Sequence, residues 1–342
     1  VRGTGAWMST SIAAPAGASK VLGPRAITKG NTIHILAISG DPYEGLDLAL
    51  LYFRSADGGI SWDIPGIVLP GLDSASLGAG PGKSFNGFDY DTYAWSEPKG
   101  DTIAFAVASQ MGGAWIMKSF DNGVTWNKVT VFEVPDFTDS PSPVFASTDG
   151  SVAAALDSQG KVHVVFGRMF VSDDDFNTGG NSYYPYTDGL IYWNENMPQL
   201  DTAQLANTDT LEANGNLIAW MDDVNSNGQI DFPEVGSGEF PFGLYGVSLS
   251  SMGQIIIDGE DKIYVTYSSC REDLYFPQAH PNVELYRHLY LTTKEFMTSD
   301  WSTPVDITGD IEHSYDEVVY GSLAHEVNGG LASELIRVCP MV

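Results

Sequence analysis

Short apolar stretches with a period of two recur along the chain, each bounded by Gly, Asn, Asp or Lys, and helical periodicity is weak throughout. The strongest are Thr32–Ser39, Thr102–Ser109, Val162–Gly167 and Ile263–Ser268. Turns introduce them at Lys29-Gly30-Asn31, Lys99-Gly100-Asp101, Asp157–Lys161 and Asp258–Lys262. A second strand follows each, at Leu48–Arg54, Ala114–Lys118, Gly189–Trp193 and Arg287–Thr293. The first strands start at 32, 102, 162 and 263, so the intervals are 70, 60 and 101 residues. Two intervals fit one repeat each, and the third is over-long by about half a repeat, which predicts an insertion there.

Between the second strand and the next apolar run lies Ser55-Ala56-Asp57-Gly58-Gly59-Ile60-Ser61-Trp62, and it returns 64 residues later as Ser119-Phe120-Asp121-Asn122-Gly123-Val124-Thr125-Trp126. The chemistry is that of a hairpin turn. Asp57 and Asp121 are short acceptors for the turn's own N–H groups, Gly59 and Gly123 supply positive φ, and Trp62 and Trp126 open the outgoing strand. The third repeat replaces the turn with Asn194-Glu195-Asn196, and the fourth keeps only Asp300 and Trp301.

The pattern Ser/Thr-x-Asp-x-Gly-x-x-Trp resembles the Asp-box, or BNR repeat, carried on blade hairpins of β-propellers such as sialidases and many secreted non-enzymatic proteins. The resemblance implies an all-β propeller of four-stranded antiparallel blades with very little helix, and a structural role for Ser55, Asp57, Gly59, Trp62, Ser119, Asp121, Gly123 and Trp126. The expected organisation is one propeller domain over 1–342, or a fragment of one, with blades near 20–70, 84–134, 145–200 and 248–308 and a partial blade at 313–342. The insertion is expected at 207–247. Closure is open between further blades beyond Val342 and strands from Val1–Leu22 completing the last blade.

The insertion holds Asp223-Val224-Asn225-Ser226-Asn227-Gly228-Gln229-Ile230-Asp231-Phe232-Pro233-Glu234. This spacing matches the twelve-residue calcium loop: Asp223, Asn225 and Asn227 at positions 1, 3 and 5, and Gly228 at the sharp bend. The carbonyl of Gln229 comes at position 7, Asp231 at 9 and Glu234 at 12. Alternate residues of a tightly bent loop aim oxygens at a common centre, as a hard cation such as Ca2+ requires. Pro233 and Gly236 argue against a long exiting helix, so the segment resembles the isolated calcium loops of dockerins and reads as a structural clamp.

Lys+Arg 16 against Asp+Glu 44 gives a net charge of −28, which excludes nucleic acid and anionic membrane surfaces as natural partners. No apolar window is long enough to cross a bilayer as a helix. The Asp-box resemblance implies a glycan or an extracellular protein as the partner class. Cys270 and Cys339 are the only cysteines; one disulfide between them is open if the protein is exported, and the start Val1-Arg2-Gly3 reads either as a processed terminus or as an arbitrary boundary of the sequence, with the resemblance to secreted propellers favouring processing after export.

Weaker features have ordinary readings. The acidic loop Ser172–Asn177 matches no ligand template, and Tyr183, Tyr184, Tyr186, Tyr192 and Trp193 are either a sugar platform or blade packing. His34 and His163 lie inside strands and read as core or face residues. A sialidase would need several arginines around a carboxylate and a Tyr nucleophile beside a carboxylate; Arg25, Arg54, Arg168, Arg271 and Arg287 are the pool, and Tyr315 with Glu317 could share a strand face. The reading is a secreted, calcium-stabilised, non-catalytic propeller acting as a binding or scaffold module, with no catalytic residue assigned. The alternative is an extracellular sialidase-like glycoside hydrolase.

Overall fold

The period-two runs become strands with both faces buried, because successive sheets pack face to face and share apolar cores. In the computed structural model, which describes residues 9, 11–135, 137, 142–177, 180–275, 284–296, 298–324 and 336–337, the first sheet is β1 (Val21–Lys29), β2 (Thr32–Ser39), β3 (Leu50–Ser55) and β4 (Ile64–Val68) in that order. After the short helix α1 (Ser74–Leu77) comes the second, β5 (Tyr93–Trp95), β6 (Ile103–Ser109), β7 (Gly113–Ser119) and β8 (Asn127–Glu133).

The third sheet contains β9 (Phe145–Leu156), β10 (Val162–Ser172), the short β11 (Ser182–Tyr183) and β12 (Leu190–Asn194). It is completed, after helices α2 (Thr202–Ala206) and α3 (Thr208–Ala213), by β13 (Leu217–Ala219). The fourth is β14 (Ser250–Ile257), β15 (Ile263–Tyr275), β16 (Leu285–Lys294) and β17 (Val305–Asp306), and β18 (Ser322–Leu323) pairs with β19 (Ile336–Arg337). All the strand pairings are antiparallel.

The first strand of each sheet packs on the first strand of the next, in the series β1, β5, β9, β14, β18. Sheets following one another around their innermost strands are the blades of a β-propeller. One correction concerns the third blade. Leu217–Ala219 pairs with β12, so the stretch expected as an insertion from 207 begins inside blade three. The reason is a detour: Asp201 and Asn207 cap α2 and α3, whose Leu205 and Leu211 are fully buried, and the chain then returns to the sheet.

Alternation within one strand shows how a blade feeds two cores. Ala104, Ala106 and Ala108 of β6 pack with Phe132, Val164 and Phe166 towards blade three. Phe105 and Val107 pack with Leu36, Tyr52 and Met117 towards blade one. Val165 of β10 likewise turns the other way, to Tyr192, Val265 and Tyr267 of blades three and four.

The eight-residue turns join β3 to β4 and β7 to β8, and they share one bonding pattern. Gly59 N and Gly123 N donate to Ser55 Oγ and Ser119 Oγ, each at 2.8 Å. Ser61 N and Oγ donate to Asp57 at 2.9 and 2.6 Å, and Thr125 N and Oγ1 donate to Asp121 at 2.8 and 2.6 Å. The hydroxyl and amide donors of Ser61 and Thr125 hold the Asp57 and Asp121 carboxyls down at about 2. The second turn also clips onto blade one: Tyr52 Oη donates to Gly123 O at 3.2 Å, and Arg54 Nε to Asn122 O at 2.9 Å. His34, fully buried, bonds Tyr52 Oη and Asn122 Oδ1, and burial pulls its pKa down to about 4.

Trp126 lies 5.0 Å from Tyr52, and Trp301 stands in the same relation to Tyr192, also at 5.0 Å, so in both pairs a blade's Trp packs on the previous blade's Tyr. Trp126→Ala is therefore expected to cost about 3 kcal/mol, the low end for such a truncation because the ring is only half-buried. Urea unfolding checks it; a loss below about 1 kcal/mol would contradict an inter-blade role.

Candidate functional site: the axial funnel

Three of the innermost strands are bulged, and the bulges face the axis. The pairing slips between Leu22 and Arg25 of β1, between Ser251 and Gln254 of β14, and at Asp149–Ser151 of β9 opposite Phe166 and Arg168. Gly23, Gly150 and Met252 carry the positive φ these bulges need, at 60°, 91° and 53°. A bulge re-aims side chains. Here Arg25, Asp149, Ser151 and Gln254 line a cavity of about 460 Å3, closed by Asp89–Thr92 before β5, by Tyr245–Val247 and by Tyr320.

Asp149 is the knot of this region. It is 5% exposed, and Ser151 N and Oγ donate to its Oδ1 at 2.9 and 2.7 Å. Ser248 N donates to Oδ2 at 3.0 Å, and Ser251 Oγ also donates there. The carboxylate thus ties blade three to blade four. Burial pushes its pKa up while those donors pull it down. Gly167 is required beside it, because a Cβ there would fall 1.9 Å from Asp149 Oδ2.

The wall is acidic and aromatic. Arg25 is engaged, donating from Nη1 to Tyr93 O at 2.6 Å and from Nη2 to Asp91 Oδ1 at 2.9 Å. Partial burial and then the Asp91 charge raise the pKa of Asp89. Tyr90, Tyr245 and Tyr320 are 45%, 37% and 51% exposed, and the last two meet edge-on with centroids 6.5 Å apart. Tyr245 is bonded to Glu317, which accepts from Arg287 N at 2.7 Å. Burial first, and then the Glu317 charge, push the Tyr245 phenol up to about 12.

The residues singled out from sequence fall elsewhere. None of the eight turn residues lines the funnel. Of the five arginines in the pool, Arg25 alone lines it: Arg54 pairs with Asp63, Arg168 donates to Asp188 O and Leu205 O, Arg271 pairs with Asp273, and Arg287 is buried beneath Tyr245. Among the described residues no cluster of three arginines forms. Glu317 meets Tyr245, whereas Tyr315 packs on Tyr286. Tyr192 and Trp193 are core, and Tyr186 packs against Phe232, Phe240 and Phe242, so of the two readings of that cluster these three residues follow packing. His163 bonds Tyr192 Oη at 2.6 Å, the counterpart of His34 with Tyr52.

The loop at 223–234 folds into a hydrogen-bonded knot. Asn227 N and Gly228 N donate to the Asp223 carboxylate at 3.2 and 2.7 Å, and the amides of Asn225 and Asn227 donate to Asp231 Oδ2 at 2.8 and 2.9 Å. Side chains 1, 3, 5 and 9 of the loop are thus gathered. Gln229 N donates to Asn227 Oδ1. Glu234 differs from expectation: it is exposed, and no hydrogen bond joins it to the knot among the described residues. Phe232 is drawn into the aromatic cluster and no helix follows to turn Glu234 back. Instead Glu272 of β15, 7% exposed, accepts from Asn225 N at 2.9 Å and Asp231 N at 3.1 Å.

Among the described residues no three His, Cys, Asp or Glu side chains converge on one metal position, so a cation here would depend on the Asn and backbone oxygens. Cys270 is fully buried, with its thiol pushed up to about 12, and Cys339 lies outside the described residues. No described helix is long and apolar enough to cross a membrane.

No protein-family profile and no curated protein matches the chain. Among solved structures it is similar to the GH93 α-L-arabinofuranosidase of Fusarium graminearum in complex with arabinobiose, at 12% identity and a TM-score of 0.35 over 80% of this chain and 62% of that one. It is similar to an α-L-arabinanase of Penicillium chrysogenum complexed with arabinobiose at 13% identity and a TM-score of 0.32, over 82% and 63%. A mutant sialidase of Trypanosoma rangeli displaying trans-sialidase activity aligns at 9% identity and a TM-score of 0.38, over 90% and 41%. The chain thus spans 62% and 63% of the first two of these proteins.

Proposed function

We propose that the protein is an extracellular binding module of the Asp-box type whose axial funnel takes a glycan. The observation that carries this reading is the set of exposed Tyr90, Tyr245 and Tyr320 around a cavity of about 460 Å3 whose wall also carries Asp89, Asp91 and Gln254. Aromatic faces cover the apolar faces of sugar rings while neighbouring carboxylates and amides meet hydroxyls. Tyr245→Ala is expected to weaken binding of a glycan ligand at least tenfold, about 1.4 kcal/mol, without lowering the melting temperature. Calorimetric titration checks it, and unchanged affinity would refute the site.

A second reading, a glycoside hydrolase, is favoured by the Tyr245–Glu317 pair and by the position of Asp89 on the wall of the same funnel. A paired acid and nucleophile are what such chemistry uses. Reducing-sugar release that disappears in both Asp89→Asn and Glu317→Gln would establish hydrolysis; binding with no release establishes the module.

The loop at 223–234 fits a calcium clamp in its side-chain chemistry. Asp223, Asn225, Asn227 and Asp231 would supply side-chain oxygens and Gln229 its carbonyl, with Glu272 holding the loop's backbone. The ion would neutralise the clustered carboxylates and so order the insertion. Calcium at 100 times its Kd should add about 2.7 kcal/mol to stability. Melting curves with calcium and with chelator check it: a shift in wild type that Asp223→Ala abolishes is expected, and no shift refutes the clamp.

A further inference from the structure

We infer that the ligand is an uncharged linear oligosaccharide laid along a trough that runs from the axis to the rim of the face, and not a single anionic sugar held at the axis. This rests on the glycan reading and adds the ligand's shape and charge. The first support is continuity. A second cavity of about 250 Å3 shares Asp89, Thr92, Asp149 and Gly150 with the funnel. A third, of about 470 Å3, shares Asn86 and Phe176 with the second and reaches Tyr43, Glu44 and Pro81. Three adjoining cavities in a row suit an extended chain, one subsite to each, better than one ring.

The floor between the first two cavities is built rather than accidental. Gln110 donates from Nε2 to Asp149 O at 3.3 Å and to Gly246 O at 3.4 Å, and accepts from Asn181 Nδ2 at 2.9 Å. One side chain thereby joins the backbones of Asp149, on β9, and Gly246, beside Tyr245, to the loop carrying Asn181.

The second support is charge. Glu44, Asp47, Asp89, Asp91, Asp149 and Asp173 border the trough, against Arg25 and Lys83. Arg25 is already paired with Asp91. An anionic sugar would face an excess of carboxylates over cations at short range, on a chain whose net charge is −28. Hydroxyl groups meet no such penalty, and amides such as Asn86, Gln110 and Asn181 can both donate and accept.

The test is calorimetric titration of the full chain with xylo-, cello-, manno- and arabino-oligosaccharides of two to six residues, and with galacturonate oligomers and 3′-sialyllactose. The expected result is that one neutral series binds, that its affinity rises at least tenfold from disaccharide to hexasaccharide, and that the anionic sugars bind more weakly. Asn86→Ala, at the junction of the second and third cavities, should bring the hexasaccharide's affinity down towards the disaccharide's, with an unchanged melting temperature as the control for folding. Affinity that levels off at a disaccharide, or preference for an anionic sugar, overturns the trough and leaves the glycan site standing. Absence of binding by every sugar overturns both.

Discussion

Each blade is apolar on both faces, and the rest of the structure depends on that constraint. A strand such as β6, with alanines towards one neighbour and Phe105 and Val107 towards the other, cannot leave either face in water. The blades must therefore stack one on the next, and the turn between β7 and β8 serves the same need at the periphery. Its Asp121 shapes the turn from within, and its Asn122 and Gly123 carbonyls and Trp126 ring fasten it to blade one.

Stacking around the innermost strands leaves an axis, and the bulges decide what lines it. Regular strands would keep turning alternate residues into the inter-blade cores. The slips at Leu22–Arg25, Asp149–Ser151 and Ser251–Gln254 break that alternation and release polar side chains to the funnel. Asp149 then secures two blades at the point where the wall is irregular. Structure and binding meet there, because the residue that holds the bulges together also borders the cavity.

The fold was legible because its signal is local. Period-two runs, glycine turns and the repeated Ser-x-Asp-x-Gly-x-x-Trp each act within a few residues, and they mark the strands that were found. The outer strand of blade three was missed because Leu217–Ala219 is short and follows two helices. The site was less legible, since Asp89, Asp149, Tyr245 and Tyr320 come from four distant segments and meet only on closure around the axis. Glu272 was invisible for the same reason: it lies 38 positions beyond Glu234, on β15, and reaches the loop only through tertiary packing. The one available hint was that the acidic and hydroxyl-rich Asp89-Tyr90-Asp91-Thr92 just before β5 and Ser147-Thr148-Asp149-Gly150 within β9 break the apolar pattern around two innermost strands.

The most direct measurement of the central claim is hydrogen–deuterium exchange of the full chain with and without a saturating neutral hexasaccharide. The account predicts slowed exchange in peptides covering 85–92, 147–152, 180–183 and 243–248, which line the axis and the trough. Slowing confined to the outer turns at 55–62 and 119–126, or to the loop at 223–234, would contradict it.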